Sequence, residues 1–337
     1  MPPVLRGLMD RMGGLGAMEG SGAGLSEALK GGLAGSFGTA IPRAPIALPE
    51  GACFEEHLYA DEAGSRPYKL YVPSTYQGQA LPLVVLLHGC TQSPDDFAAG
   101  TRMNELAEEF GLFVAYPGQT QAANMQKCWN WFNAADQSRD QGEPSLIAGI
   151  TRSIMQDFPV ETRRVYIAGL SAGGAKAAIM GATYPDLYAA VGVHSGLACG
   201  AARDMVSAFS AMKQGGGAGG VRAGSGQPVP TIVFHGDRDT TVHPVNGDEV
   251  ATQARAGAAH RTKVDQGTSQ GGMAYTRTVH RDDTGRAMLE QWVLHGAGHA
   301  WSGGSASGSY TDPKGPDASR EMIRFFLELD TPAKARA

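Results

Sequence analysis

The chain has 337 residues, 42% of them hydrophobic, which is enough to bury the core of one large α/β domain or of two ordinary ones. Its 28 Lys and Arg against 33 Asp and Glu leave a formal net charge of −5, and the lack of a basic cluster argues against a nucleic-acid partner. The longest clean apolar run, 81–87, is strand-sized and far short of the roughly 20 residues that cross a bilayer, so we expect no membrane segment.

Residues 1–50 are rich in Gly, Ala and Met and show no sustained periodicity, so we predict a loosely ordered N-terminal extension. Asp10, Arg11 and Glu19 interrupt its short apolar stretches, and no signal-peptide core is visible. This favours either a protein that stays inside the cell or one whose leader is absent from the sequence. A folded domain is predicted over 51–330, with a C-terminal tail over 331–337.

From Arg66 onward, strand-like segments alternate with helix-like ones, a pattern typical of a mostly parallel sheet with helices on both faces. The predicted strands are 68–72, 83–87, 112–116, 165–168, 189–194 and 231–234, followed by a hairpin of 275–280 and 288–294. The predicted helices are 102–110, 145–157, 175–184 and 319–329. A glycine-rich surface loop is expected over 215–226. The fold class is therefore α/β.

A nucleophile motif lies between a predicted strand and a predicted helix. Gly169-Leu-Ser171-Ala-Gly173 fits G-x-S-x-G, in which a tight turn pushes the serine hydroxyl out above the sheet. A serine hydroxyl needs a general base and an orienting acid, which follow it in this fold in the order Ser, acid, His. This motif predicts an α/β-hydrolase fold with Ser171 as the nucleophile.

The acid and the base each have two candidates downstream. Asp237 and Asp239 both follow a predicted strand, where sites of open α/β sheets lie. His299 is expected to be the base on a glycine-rich loop, with His295 as its rival. The i, i+4 spacing of these two histidines also suits metal ligands, but the intervening glycines argue against the helix that such a site would need. We expect neither a metal nor a cofactor.

Backbone N–H groups are expected to stabilise the oxyanion formed on ester attack. One donor is the amide of Ala172, directly after the nucleophile, and the other is the amide of Cys90, on the loop after an early buried strand. His88, the first residue of this loop, lies beside the site and is expected to be a structural, hydrogen-bonding histidine. We call residues 88–92 the oxyanion loop.

The four cysteines, Cys53, Cys90, Cys128 and Cys199, show no C-x-x-C spacing and no paired histidines, so a zinc site is not expected. Their spacing leaves both two disulfides and free buried thiols open.

Several motifs together resemble the polyhydroxybutyrate depolymerase family of esterases, which also contains feruloyl and acetylxylan esterases. Besides the nucleophile motif, they are Tyr68-Lys-Leu-Tyr-Val-Pro73, Leu87-His-Gly-Cys-Thr-Gln92, Cys128-Trp-Asn-Trp-Phe132, Gly192-Val-His-Ser-Gly196, Asp239-Thr-Thr-Val242 and Gly298-His-Ala-Trp301. The match runs from about residue 66 to residue 329. It implies a serine esterase without a cofactor and with Ser171, Asp239 and His299 as its catalytic triad.

The resemblance also implies a disulfide between Cys90 and Cys128, which would tie the oxyanion loop to the loop that carries Trp129 and Trp131. A second bridge between Cys53 and Cys199 has no motif behind it and is left open. Trp129, Trp131 and Trp301 lie in loops expected to surround the pocket, where they would contact the substrate.

The expected partner is an ester substrate, and the oligomeric state is open. The resemblance favours an extracellular enzyme, whereas the visible N-terminus favours an intracellular one. No linker or polymer-adsorbing domain follows residue 329, so we expect hydroxybutyrate oligomers, amorphous polymer or small esters rather than crystalline polymer. The alternatives are a feruloyl or acetylxylan esterase, a serine peptidase of the same fold and a non-catalytic binding protein.

Overall fold

The structure, a computed structural model, describes residues 48–217, 229–255 and 261–329. The predicted extension, except for its last three residues, the predicted tail and residues 218–226 of the predicted glycine-rich loop lie outside the described residues. Within the described part of the chain, no helix is both long enough and apolar enough to cross a bilayer.

One sheet forms the centre of the molecule. Its strands are β1 (Cys53–Asp61), β2 (Gly64–Val72), β3 (Leu81–Leu87), β4 (Phe113–Pro117), β5 (Val160–Leu170), β6 (Ala190–His194), β7 (Thr231–Gly236), β8 (Arg261–Thr268), β9 (Ala274–Arg281) and β10 (Ala287–Leu294). Their order is β1-β2-β4-β3-β5-β6-β7-β10-β9-β8. The strands from β4 to β10 in this order are parallel, and an antiparallel pair flanks them on each side.

Helices follow most of the parallel strands. They are α1 (Pro94–Thr101), α2 (Met103–Phe110), α3 (Gly142–Asp157), α4 (Ala172–Thr183), α5 (Met205–Gln214), α6 (Val245–Ala254) and α7 (Ala318–Glu328). Two short strands, β11 (Trp301–Ser302) and β12 (Thr311–Asp312), pair in parallel outside the main sheet.

The continuous apolar run of β3 has a simple cause. Its side chains alternate between two hydrophobic cores, because Val85 packs with α3 and α4 on one face whereas Val84 and Leu86 pack with α2 and α7 on the other. A parallel strand that is buried on both faces needs no polar positions. The α/β-hydrolase fold predicted from the sequence is confirmed, together with its six predicted central strands and the hairpin of β9 and β10.

Several elements differ from the prediction. The outermost strands, β1 and β8, were not predicted, because most of their side chains are exposed and show no apolar alternation. Helix α1 was not predicted either. It is a helix because Ser93 accepts a hydrogen bond from the Asp96 N–H and Pro94 begins its first turn. Helices α5 and α6 were also missed.

A buried ion pair joins α3 to α4, the helix that begins at the nucleophile motif. Lys176 Nζ lies 2.9 Å from Glu143 Oε2, and the two side chains are 0% and 2% exposed. Glu143 also accepts hydrogen bonds from Asn130 and Gln119, and Lys176 donates to the Asp136 carbonyl. Removal of one partner from such a pair leaves the other charge buried and unpaired.

We expect Lys176→Met to lower the free energy of unfolding by about 3 kcal/mol, because it leaves the buried Glu143 carboxylate with only the Arg66 guanidinium, 3.7 Å away, as a counter-charge. Urea denaturation followed by circular dichroism measures this change. The control is Lys263→Met, which removes an exposed ion pair with Asp265 and should cost less than about 1 kcal/mol. Equal losses for the two variants would contradict this account of the buried pair.

Candidate active site

Ser171 lies in a strained turn between β5 and α4. Its backbone angles are φ 57° and ψ −120°, a conformation that residues with a side chain rarely adopt. A Cβ added to Gly173 would lie 2.1 Å from the Leu87 carbonyl oxygen, and one added to Gly169 would lie 2.4 Å from Gly173. Glycine is therefore required at both positions, and the turn holds Ser171 at the carboxyl end of the sheet.

Asp239, which follows β7, pairs with His299, which follows β10. The distance from Asp239 Oδ2 to His299 Nδ1 is 2.6 Å, and Oδ1 accepts the Thr241 and Val242 N–H groups at 2.9 Å each. Burial raises the pKa of Asp239, but the hydrogen bond and charge of His299 and the Val242 N–H outweigh burial and lower that pKa. An ionised carboxylate accepts a hydrogen bond from the Nδ1–H of His299, which in the neutral ring leaves the free lone pair on Nε2.

His194, at the end of β6, connects the strained turn to the segment after His299. Its carbonyl oxygen accepts the Ser171 N–H at 2.9 Å, and its Nε2 accepts the Ser302 N–H at 3.0 Å. Its ring stacks between Phe234 and Trp301 and is fully buried. Burial lowers the pKa of His194 to about 3, and the charges of His235 and His299 act in the same direction. His194 lies in one of the motifs that carry the family resemblance, but its sequence context predicted no role for it.

The two rival candidates, Asp237 and His295, pair with each other. His295 Nδ1 lies 2.9 Å from Asp237 Oδ2, and the Gly296 N–H donates to Asp237 Oδ1 at 2.7 Å. Both side chains are more exposed than those of the other pair. His295 is 41% exposed and His299 12%, whereas Asp237 is 37% exposed and Asp239 0%. Each histidine is thus held by its own carboxylate.

The oxyanion loop lies directly against Ser171. A Cβ added to Gly89 would be 3.6 Å from Ser171 Cβ. A disulfide joins Cys90 to Cys128. Ala172 is the first residue of α4, and N–H groups in the first turn of a helix have no acceptor within that helix. The structure therefore brings the two predicted amide donors, those of Cys90 and Ala172, to the vicinity of Ser171.

His88 uses both ring nitrogens in hydrogen bonds within the interior. Its Nε2 accepts the Gln119 N–H at 3.0 Å, so its Nδ1 carries the proton and donates to the Gly89 carbonyl at 2.7 Å. Burial lowers the pKa of His88 to about 4, which keeps the ring neutral. The expectation of a structural histidine is confirmed.

The prediction of substrate contact is wrong for two of the three tryptophans. Trp129 and Trp301 are buried in the core, where their indole N–H groups donate to the His88 carbonyl and to Ser319 Oγ. A large apolar ring whose one polar group has a partner is stable in the interior. Trp131 is also mostly buried, at 6% exposed, and substrate contact by Trp131 stays a prediction.

The bridge between Cys53 and Cys199 does not form. Both cysteines are free, Cys53 exposed on the outermost strand β1 and Cys199 buried after β6. Four strands separate β1 from β6 in the sheet, which at about 4.8 Å between neighbouring strands puts them roughly 24 Å apart. A disulfide requires Cα atoms within about 7 Å of each other.

The sequence is similar to those of known esterases. The sequence model of a family described as Esterase PHB depolymerase matches residues 66–263. Poly(3-hydroxyalkanoate) depolymerase C of Paucimonas lemoignei is 33% identical over 239 residues, which are 68% of this chain but 57% of that protein. Feruloyl esterase B of Thermothelomyces thermophilus is 27% identical over 68% of this chain and 82% of its own length.

A solved structure shows the same fold. Acetyl xylan esterase from Aspergillus awamori superimposes with a TM-score of 0.62, at 20% sequence identity, over 81% of this chain and 99% of its own. At this identity the similarity concerns the fold alone. The chain spans little more than half the length of the Paucimonas relative.

The buried His194 should make the free energy of unfolding depend on pH. Its pKa is about 3 in the folded protein and about 6.5 when unfolded, so between these values only the unfolded chain binds the proton. Its contribution is therefore fully present above pH 6.5 and declines as the pH falls toward 3, by up to about 1.4 kcal/mol per pH unit. We expect His194→Gln to reduce the slope of unfolding free energy against pH by roughly this amount between pH 6 and 4.

Urea denaturation at several pH values measures that slope. The reference is the slope of the wild-type chain measured over the same pH range. An unchanged slope in His194→Gln would show that this imidazole is protonated in the folded protein.

Proposed function

This chain belongs to the family of PHB depolymerase esterases, and on that premise we propose that it hydrolyses carboxylic esters with Ser171 as its nucleophile. The observation that carries the proposal is the buried 2.6 Å pair of Asp239 and His299 at the same sheet edge as the strained turn of Ser171. A nucleophile, a base and an orienting acid on three separate loops are the groups that acyl transfer by a serine requires.

The proposed reaction has two steps. Ser171 Oγ attacks the ester carbonyl carbon while His299 Nε2 takes the hydroxyl proton, and the Cys90 and Ala172 amides stabilise the oxyanion that forms. The carbon–oxygen bond to the alcohol then breaks, and the alcohol leaves with the proton from His299. Water attacks the acyl group on Ser171, again with His299 as the base, and the acid and the free serine are released. Asp239 remains ionised throughout.

Short-chain hydroxyalkanoate esters, as oligomers or polymer, are the substrate class that we propose first. The support is the 33% identity to a protein named as a poly(3-hydroxyalkanoate) depolymerase. The second candidate is a feruloyl or acetylxylan ester, supported by the 27% identity to a feruloyl esterase and the 28% identity to an acetylxylan esterase of Talaromyces purpureogenus. Trp131 is proposed to contact the acyl group.

An oxidising compartment is the proposed location. The disulfide between Cys90 and Cys128 lies beside the oxyanion loop, and disulfides persist mainly outside the reducing cytosol. We therefore propose an extracellular or periplasmic enzyme.

A release assay tests the proposed function. We expect purified protein to release acid from 3-hydroxybutyrate oligomers faster than from methyl ferulate or acetylated xylan, and Ser171→Ala to abolish every release while the fold is retained. Faster release from ferulate or acetylxylan would select the second candidate. The proposal would be overturned if Ser171→Ala still released acid or if the wild-type chain released none. Labelling of Ser171 by a fluorophosphonate would then separate a peptidase, which reacts, from a binding protein, which does not.

Two aspartates two residues apart provide a matched test of the acid. Asp239→Asn should lower kcat by roughly four orders of magnitude, because the amide no longer holds His299 in the productive tautomer. Asp237→Asn disturbs only the exposed pair with His295 and should lower kcat less than about tenfold. Steady-state kinetics with p-nitrophenyl butyrate compare the two variants. If the larger loss occurs in Asp237→Asn, the assignment of the acid is wrong.

A further inference from the structure

Gln92, at the end of the oxyanion loop, is buried with 2% of its surface exposed, and its side chain bonds to two loops of the site. We propose that Gln92 is a positioning residue that holds the Cys90 amide in place against Ser171 and His299. This inference rests on the proposed function, because it concerns the oxyanion formed during ester hydrolysis.

The acceptor end of the Gln92 amide holds the oxyanion loop. Gln92 Oε1 accepts the Gly89 N–H at 2.9 Å, and Gly89 directly precedes Cys90. A Cβ added to Gly89 would lie 3.1 Å from this oxygen and 3.6 Å from Ser171 Cβ. The side chain therefore touches the peptide unit next to the proposed donor, on the side of the loop that packs against the nucleophile.

The donor end of the same amide reaches the segment between β11 and β12. Gln92 Nε2 donates to the Ser309 carbonyl at 3.1 Å and to Asp96 Oδ2 at 3.0 Å. Asp96 Oδ1 in turn accepts the Ser309 N–H at 3.0 Å. These acceptors determine the orientation of the amide, because a flipped amide would present its NH2 group to the Gly89 N–H.

The Ser309 segment is joined to the loop that carries His299. The Trp301 N–H donates to the Tyr310 carbonyl at 2.6 Å, and β11, which begins at Trp301, pairs with β12. Gln92 thus connects the oxyanion loop to a segment paired with the chain two residues beyond His299. Through this connection it sets the position of the oxyanion donor relative to the base.

The other side of the oxyanion loop has its own restraints. The disulfide holds Cys90, and the Thr91 N–H donates to the Gln126 carbonyl at 2.6 Å. Thr91 has a φ of 66°, a strained value for a residue with a side chain. Cys128 and Gln126 restrain one side of this strained loop, and on the other side His88 Nδ1 bonds to the Gly89 carbonyl while Gln92 adds the link to the Ser309 segment. A displacement of about 1 Å at such a donor can cost about a hundredfold in rate.

A second glutamine provides a matched control. Gln253 on α6 makes the same type of amide clamp, because its Oε1 accepts the Cys199 N–H at 3.0 Å and its Nε2 donates to the Cys199 carbonyl at 2.9 Å. Its loop follows β6 and does not supply the proposed oxyanion donors. Loss of Gln253 should therefore affect stability and leave the position of the Cys90 amide unchanged.

The experiment compares Gln92→Met with Gln253→Met in the full chain. The readouts are kcat and KM for p-nitrophenyl butyrate, the inhibition constant of an alkyl trifluoromethyl ketone, which forms an oxyanion on the serine, and the melting temperature. We expect Gln92→Met to lower kcat about 10- to 100-fold with KM within about twofold, and to weaken the ketone by a similar factor. Gln253→Met should lower only the melting temperature.

Gln92→Asn keeps the falsifying measurement available if the methionine variant does not fold. It retains an uncharged amide beside Asp96, but its side chain is one CH2 shorter and cannot reach both the Gly89 N–H and the Ser309 carbonyl, so it should also weaken the ketone. Unchanged kcat and ketone affinity in a folded Gln92 variant, or losses that Gln253→Met reproduces, would overturn the positioning role. An inactive wild-type chain would instead overturn the proposed function, and this role with it.

Discussion

The strained turn at Ser171 is the constraint on which the rest of the site depends. A residue with a positive φ of this kind costs of order 1–3 kcal/mol and persists only where its surroundings determine it more than once. Here Gly169 and Gly173 allow the turn to pass within contact of the Leu87 carbonyl, and the Ser171 N–H is bonded to the His194 carbonyl. The ends of β3, β5 and β6 are thereby fixed around Ser171.

Neutral histidines connect the loops around this turn. His88 and His194 are buried, and each uses one ring nitrogen as a donor and the other as an acceptor, with a pKa lowered by burial. An uncharged imidazole can cross-link two segments without the large cost of burying a charge. Where a charge is buried it is paired, as Glu143 is with Lys176 and Asp239 with His299. The chain thus uses one residue type for structure at two positions and, we propose, for proton transfer at a third.

The two neighbouring aspartates after β7 show what the local sequence could not decide. Asp237 and Asp239 follow the same strand, and nothing in their local sequence separates them. In the structure, Asp239 is buried against His299, whereas Asp237 is exposed and bonded to His295. The sequence predicted no role for Gln92, although this residue lies in one of the family motifs. Its partner Gly89 is 3 residues away, but its partner Ser309 is 217 residues away, and only the bond to Ser309 connects two loops.

The sequence by itself determined the elements that depend on short-range rules. Short runs of apolar residues predicted the central strands, and the need for glycine around a tight turn predicted the position of Ser171. The tertiary structure alone decided which side chains meet. Trp129 and Trp301 belong to the core, and Cys53 and Cys199 stay apart. His295 pairs with Asp237, and His299 pairs with Asp239. The physical reason is that parallel strands bring loops from distant parts of the chain to one edge of the sheet, where each hydrogen bond depends on the packing of both loops.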